Sequence, residues 1–238
     1  MKKYNSPLKH IFIFICFSFF TSSFAYSDKI EINKIEKIIE NYIKNNPDII
    51  KKSLDNMQLT LQKKKFGDAL QLLKNADNPT LLQNNADITI YEFFDYNCGY
   101  CKSVAPIIMK AINRDKKVNF VFVEFPILSQ DSYTASLASL AARKQNLYNK
   151  FHISLMKVKG RIDEQKIFKI AKKIGLDIDK LKLDMDEPKI QLTLKNNREA
   201  AKLLKLNGTP AFIIGNTIYP GAITDEKLQK AIETYRKS

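Results

Sequence analysis

The chain has 238 residues and a formal net charge of +14, with 27% charged and 45% hydrophobic residues. That balance is typical of a globular protein and excludes disordered, fibrous and multi-span membrane chains. Only 7 glycines and 8 prolines exclude a Gly/Pro-rich low-complexity protein, and only 3 cysteines exclude a small fold stapled by disulfides.

Residues 1–25 have the features of a secretory signal peptide. The segment begins with three lysines and no acidic residue, and an apolar run follows at residues 11–20. That run is about half the roughly 20 residues needed to span a bilayer. Ser23 and Ala25 fit the −3 and −1 positions of a cleavage site, and Ala25 and Ser27 are a second choice. The pattern predicts export and cleavage after Ala25; an uncleaved membrane anchor is the alternative.

Cleavage at this site changes the cysteine count and the charge. It removes Cys16, His10 and three positive charges, which takes the +14 charge to +11. The mature chain keeps Cys98, Cys101 and His152, and it would work in the oxidising periplasm. Its lysines are scattered among acids through helical patterns. A solvated basic surface is therefore expected, with no nucleic-acid partner.

Residues 26–84 are predicted to form an N-terminal helical arm and a linker. Apolar residues recur at helical spacing over residues 35–43. A second helix is expected to begin at Pro47 and to run to about Lys65, because proline is favoured at the first helical position. The Asn-rich stretch 75–85 is predicted to be the linker.

Residues 85–238 alternate between strand and helix patterns, which indicates an α/β domain. The predicted strands are 88–94, 118–125, 211–214 and 217–219, and the predicted helices are 104–112, 135–156, 165–174, 191–206 and 225–235. The long helical stretch at about 129–206 is interpreted as an insertion. His152, within it, is interpreted as a packing or helix-surface residue rather than a ligand.

The motif that carries chemistry is Cys98-Gly99-Tyr100-Cys101, between the first strand and a helix. Two thiols at this spacing can close a disulfide, and the free N–H groups at a helix start favour the thiolate, which is the attacking species. Cys98 is therefore assigned as the nucleophile and Cys101 as the more buried resolving cysteine.

Two other interpretations of this motif are weaker. A zinc site normally needs four ligands, and two cysteines and one histidine are too few. A purely structural disulfide would close a very short loop and gain little stability. We therefore expect a redox-active disulfide between Cys98 and Cys101, with no metal and no other cofactor.

Two further positions are candidates for the same site. Thr209-Pro210 precedes a predicted strand. It is either an ordinary trans proline or a cis proline that turns the Thr209 backbone toward a bound peptide. Glu92 lies inside an apolar strand. It either faces solvent or is a buried proton acceptor for Cys101, with its pKa raised by desolvation.

Taken together, these residues resemble the DsbA-like thiol:disulfide oxidoreductases over roughly residues 87–238. The segments that carry the resemblance are 93–101 (FFDYNCGYC), 124–128 (EFPIL) and 208–212 (GTPAF). The resemblance implies a thioredoxin fold interrupted by a helical domain, a cis Pro210, and Glu92 at the position of the family's buried acid.

The departures from the family pattern concern the direction of thiol–disulfide exchange and the oligomeric state of the protein. Gly99-Tyr100 replaces the Pro-His of the best-known oxidant, which implies a less oxidising centre. Thr209 is more typical of the isomerase-like branch that includes DsbC, DsbG and ScsC. The N-terminal helices resemble the oligomerisation segment of ScsC-type members. They predict self-association through residues 30–65, with an arm packed on its own domain as the alternative.

The resemblance also implies partners: cysteine-containing exported proteins, and a membrane redox protein that is DsbB-like for an oxidase or DsbD-like for an isomerase. A hypothesis from another class is an envelope binding or chaperone-like protein with a vestigial disulfide. A cytosolic thioredoxin-like reductase is a third, and it requires that the amino terminus is not cleaved near Tyr26.

Overall fold

The computed structural model describes residues 32–237, so the expected signal peptide at 1–25 lies outside the described residues. The chain divides into two compact units, Met1–Leu59 and Thr60–Ser238. Within the described range, every helix is too short or too polar to cross a bilayer.

The described part of the first unit is helical and exposed. Helix α1 spans Ile32–Asn45 and has no buried residue. Its isoleucines share one face, and Ile38 is 62% exposed. Helix α2 spans Pro47–Asn75, with proline at its first position as predicted. The side-chain amide of Asn46 donates to the carbonyl oxygen of Tyr42 at 2.8 Å and satisfies the end of α1.

Helix α2 extends beyond its predicted end at Lys65. In the second unit its last turns bury Ala69 and Leu73 against one face of the sheet. Tertiary packing therefore stabilises a segment whose periodicity alone did not predict a helix. The expected linker at 75–85 is also partly structured, because strand β1 (Thr80–Leu81) pairs with the sheet.

The sheet of the second unit has the order β1-β3-β2-β4-β5. The other strands are β2 (Ile88–Phe94), β3 (Val118–Glu124), β4 (Ala211–Ile214) and β5 (Thr217–Pro220). Strands β2 and β3 are parallel, and the remaining pairs are antiparallel. This is the thioredoxin fold expected from the sequence.

Helices cover both faces of the sheet. They are α3 (Gly99–Arg114), α4 (Gln130–Ala142), α5 (Tyr148–Met156), α6 (Glu164–Ile174), α7 (Ile178–Met185), α8 (Pro188–Leu203) and α9 (Asp225–Lys237). Helices α4 to α8 lie between β3 and β4 and form the predicted insertion.

The helical boundaries differ from the sequence predictions at two places. The stretch expected as one helix at 135–156 is broken by a 3-10 turn, Arg143–Gln145, and by left-handed Asn146, whose φ is 58°. Helix α7 was not predicted, although Asp177 caps it by accepting from the N–H of Lys180 at 3.0 Å. Its 8 residues make only about two turns, and their apolar stripe is too short to recognise.

The two sheet faces bury separate clusters. Because side chains alternate along a strand, Ile90 and Phe94 pack with α3 and the insertion, whereas Tyr91 and Phe93 pack with α2 and α8. Glu92 therefore projects toward the α3 side, where the cysteines lie.

Candidate active site

The turn from β2 into α3 places Cys98 at the N-cap position of the helix. Its sulfur accepts the backbone N–H of Cys101 at 3.4 Å, and its thiol donates to the carbonyl oxygen of Thr209 at 3.2 Å. The Cys98 sulfur thus meets the free N–H groups at the helix start, which is the arrangement that favours thiolate.

The second cysteine lies one turn further along and is deeper. Cys98 and Cys101 are both free thiols, 6% and 0% exposed respectively. Burial raises the pKa of the Cys101 thiol, so this thiol keeps its proton at neutral pH. The expectation that Cys101 is the more buried of the two is confirmed. Gly99 and Tyr100, between them, are exposed.

The loop before β4 completes the site. The Thr209-Pro210 peptide bond is cis, so the trans alternative is wrong. Pro210 is buried, and its carbonyl oxygen accepts the N–H of Gly221 at 2.8 Å. Residues 111 positions apart in sequence therefore meet, with the Thr209 carbonyl against the Cys98 thiol.

Glu92 is 2% exposed, so the alternative in which it faces solvent is wrong. Its strand neighbours are Phe122 on β3 and Phe212 on β4. Burial raises its pKa to about 8. Within residues 32–237 its carboxyl makes no hydrogen bond; it lines a groove of about 830 Å³ between α3 and α5.

A buried polar network beside the site was missed by the sequence reasoning. The carboxyl oxygens of Glu124 accept hydrogen bonds from the hydroxyls of Tyr96 at 2.9 Å, Tyr148 at 3.1 Å and Ser136 at 2.8 Å. Burial raises the pKa of Glu124 to about 8, and the three hydroxyl donors oppose that shift. The sequence signal that could have revealed this network is an acidic residue inside an apolar strand, as at Glu92.

His152 belongs to this network and is not a helix-surface residue. Its Nδ1 lies 3.0 Å from the Tyr96 hydroxyl, and Phe94 and Phe122 surround its ring. Burial lowers its pKa to about 3, so it is neutral at physiological pH. The interpretation of His152 as a packing residue is confirmed, with a hydrogen bond in addition.

The loop between β2 and α3 is anchored by Asp95. One oxygen of its carboxylate accepts the N–H groups of Ile127 and Leu128 at 2.9 and 3.0 Å, and the other accepts the N–H of Asn97 at 2.7 Å. The segment after β3 therefore holds the loop that leads to Cys98. Across the described part of the chain, no three His, Cys, Asp or Glu side chains converge to form a metal site.

Comparison with known proteins agrees with this geometry. Residues 89–233 match the family model of the DSBA-like thioredoxin domain. The chain belongs to this family. Members of the DSBA-like family carry out thiol–disulfide exchange, and the paired cysteines and the cis-proline loop lie within the matched range.

Solved DSBA-like relatives cover most of the chain. A thioredoxin-like oxidoreductase from Silicibacter pomeroyi is 35% identical, with a TM-score of 0.68 over 70% of this chain and 96% of that one. A linker-deletion mutant of Proteus mirabilis ScsC is 26% identical, with a TM-score of 0.67 over 90% of this chain and 99% of that one. The second match includes the region of the N-terminal helices.

Two curated proteins match a little under two thirds of this chain. The probable disulfide bond formation protein D of Bacillus anthracis is 26% identical over 65% of this chain and 76% of that protein. The Na(+)/H(+) antiporter NhaA 3 of Salinispora tropica is 23% identical over 149 residues, but the match spans only 23% of the antiporter's length.

Proposed function

We propose that this protein forms or rearranges disulfide bonds in cysteine-containing exported proteins through Cys98 and Cys101. The observation that carries the proposal is the Cys98 thiol, which lies at the start of α3 and against the cis-proline loop, with the buried Cys101 thiol one turn away. Membership of the DSBA-like family supports the same chemistry.

In the oxidising direction, a substrate thiolate attacks the Cys98 sulfur of the Cys98–Cys101 disulfide and Cys101 leaves. A second substrate thiolate then attacks the substrate's own sulfur in the mixed disulfide, and Cys98 leaves as thiolate. The substrate gains a disulfide, and the protein becomes a dithiol. In the isomerising direction, the Cys98 thiolate attacks a substrate disulfide, and Cys101 attacks Cys98 to release substrates that fail to rearrange.

Glu92 is the proposed proton acceptor and donor for Cys101. Both residues lie on the α3 side of the sheet, and the pKa of Glu92, raised to about 8 by burial, allows it to exchange a proton near neutral pH. Gly99 and Tyr100 tune the potential: neither is a cation that would add to the helix start in stabilising the thiolate, so a less oxidising centre is expected. The Thr209-Pro210 backbone is the proposed binding edge for substrate peptide.

The location, assembly and redox partner belong to the same proposal. The signal pattern at 1–25 supports export to the periplasm. The exposed apolar face of α1 supports self-association through residues 30–65. A DsbB-like membrane protein would reoxidise an oxidase, and a DsbD-like one would keep an isomerase reduced.

The test of catalysis uses the purified mature chain with a reduced dithiol peptide and with scrambled ribonuclease. We expect turnover in at least one assay, its loss in Cys98→Ser, and a trapped mixed disulfide in Cys101→Ser, which cannot resolve it. No turnover by the native protein in either assay, or full activity of Cys98→Ser, would refute the proposal.

The test of assembly is light scattering on the native chain and on an Ile35→Lys/Ile39→Lys variant. We expect the native chain to be larger than one copy and the variant to be a monomer, because lysines interrupt the apolar face of α1. A native monomer at assay concentrations contradicts self-association.

The same exposed isoleucines favour a second candidate function, the binding of unfolded clients. That function predicts protection of a client protein from aggregation, and the protection would survive replacement of both Cys98 and Cys101 by serine. Loss of protection in the double-serine variant would reject an independent chaperone-like role.

A further inference from the structure

The side chain of Asn97 joins the loop between β2 and α3 (residues 95–98, the redox loop) to the helical insertion. Its Oδ1 accepts the N–H of Ile162 at 2.7 Å, and its Nδ2 donates to the carbonyl oxygen of Ile162 at 3.0 Å. The same nitrogen lies 3.3 Å from the hydroxyls of both Ser129 and Ser132 at the start of α4. Both amide donors and the carbonyl of Asn97 therefore have partners in the insertion.

A second contact reaches the same loop from the other side of the cysteine motif. Lys102 Nζ donates to the carbonyl oxygen of Gly160 at 2.6 Å. The loop of residues 157–163, which connects α5 and α6, is thus held by one side chain just before Cys98 and by another just after Cys101. We refer to Asn97 and Lys102 with the backbones of Gly160 and Ile162 as the clasp.

The reactive sulfur of Cys98 cannot fix its own position during exchange. Its contacts with the Cys101 N–H and the Thr209 carbonyl must change when the sulfur bonds to a substrate. The contacts that persist belong to its backbone: its N–H donates to the Asp95 carbonyl at 3.0 Å, and its carbonyl accepts the N–H of Lys102 at 3.1 Å. The placement of that backbone depends on the adjacent residue, Asn97.

We propose that Asn97 is a positioning residue that holds the start of α3 against the insertion, so that the Cys98 sulfur stays at the helix N-terminus in each redox state. The inference rests on the proposed function, because it takes Cys98 as the reacting atom. Without the clasp, Cys98 would spend part of its time away from the helix N–H groups. The thiolate and hence the reduced protein would be less stable, and the protein would become less oxidising.

The test is the redox equilibrium of the mature chain with glutathione. One oxidised glutathione accepts two electrons from the Cys98/Cys101 dithiol, which becomes a disulfide as two reduced glutathione molecules form. In Asn97→Ala we expect the equilibrium constant to shift about tenfold toward the protein disulfide, which corresponds to a potential about 30 mV more negative. Alkylation of Cys98 by iodoacetamide at neutral pH should slow by a similar factor.

Asn197→Ala is the matched control. Asn197 is a buried asparagine of α8 that donates to the Asn78 side chain at 2.8 Å and to the Glu124 carbonyl oxygen at 3.1 Å. It packs on the sheet face opposite α3, so its loss should lower the stability of the protein by leaving buried polar groups unpaired. Its glutathione equilibrium and alkylation rate should stay at the native values.

Should Asn97→Ala fail to fold, Ser132→Ala removes one partner of Asn97 from the side of the insertion, and a shift in the same direction of about twofold to threefold is expected. Native values in the foldable variants overturn the positioning role, as does a shift in Asn197→Ala equal to that in Asn97→Ala. A native protein that does not exchange with glutathione refutes the proposed function itself, so the two failures are distinguishable.

Discussion

Glu92 and Glu124 lie on neighbouring strands and project from the same face of the sheet, yet their surroundings are opposite. Burial raises the pKa of each to about 8. Glu124 accepts hydrogen bonds from three hydroxyl groups and so joins the insertion to the sheet. Glu92 bonds to no side chain or backbone group of the described residues and faces the groove beside α3.

Two buried glutamates on the same sheet face therefore differ in role, one structural and the other chemical. A fully satisfied buried network rigidifies the packing around it, as Glu124 does where α4 and α5 meet the sheet. A buried carboxyl without a partner costs stability and contributes no packing specificity. Perturbed groups of that kind are typical of functional sites, and the groove that Glu92 faces is also lined by Gly99 of the Cys98–Cys101 motif. Glu92 fits this description.

The largest expected effect is on stability and uses the matched pair Glu124→Leu and Glu92→Leu. Glu124→Leu leaves the hydroxyls of Tyr96, Tyr148 and Ser136 unpaired in the interior, and we expect a loss of about 3–5 kcal/mol. Glu92→Leu removes a carboxyl that has no hydrogen-bond partner, so no buried group is left unpaired. The stability of this variant should equal or exceed that of the native chain. Urea unfolding followed by circular dichroism measures the free energy of unfolding of both variants. Equal losses in the two variants would contradict the proposed difference between Glu92 and Glu124.

The second effect is on the rate of thiol exchange. We expect Glu92→Gln to slow turnover at pH 7 by about tenfold to a hundredfold, because the amide cannot take up or return the Cys101 proton. Glu124→Gln should keep the native rate while it loses stability. The pH–rate profile is the diagnostic measurement: if Glu92→Gln retains the native profile, Glu92 does not transfer the proton.

The third effect is on the slope of stability against pH. Each carboxyl has a folded pKa of about 8 against 4.5 for its model value, so the folded protein retains protons that the unfolded chain releases. For these two groups, stability should therefore be greatest below pH 4.5 and should fall as the pH rises from 4.5 to about 8, where the folded protein also releases the protons.

His152 opposes this fall in stability with rising pH over the acidic part of the pH range. Its pKa falls from 6.5 to about 3 on folding, so protonation of the unfolded chain lowers stability as pH drops below 6.5. The fall in stability should accordingly be steepest between about pH 6.5 and 8. Glu92→Leu should halve the slope in that window, and an unchanged slope would show that Glu92 does not hold a proton in the folded state.

The reactive core of the site could be predicted because each part is encoded by adjacent residues. The spacing of Cys98 and Cys101, the Thr209-Pro210 pair and the acid inside the strand at Glu92 are all visible over a few positions. The predicted roles of Gly99 and Tyr100 stay predictions, as do the signal peptide and the domain boundaries at residues 26–84 and 85–238.

Other features could not be predicted because they depend on partners distant in sequence. No residue near His152 in the sequence indicates its hydrogen-bond partner, because that partner, Tyr96, lies 56 positions away. Helix α2 continues to Asn75 because the sheet covers its last turns, and a single-sequence pattern does not show which face will be covered.

By itself, the sequence indicated an α/β order with a helical insertion and the close spacing of Cys98 and Cys101, because hydrophobic period and short motif spacing are local properties. The thioredoxin fold was expected from the resemblance to the DsbA-like family. Only the tertiary structure decided which buried carboxyl is satisfied and which is free. Glu92 and Glu124 look alike along the chain: both are acids within apolar strands. What distinguishes them is the set of hydroxyls that α4, α5 and the redox loop bring to one and not to the other, and those donors come together only when the chain is folded.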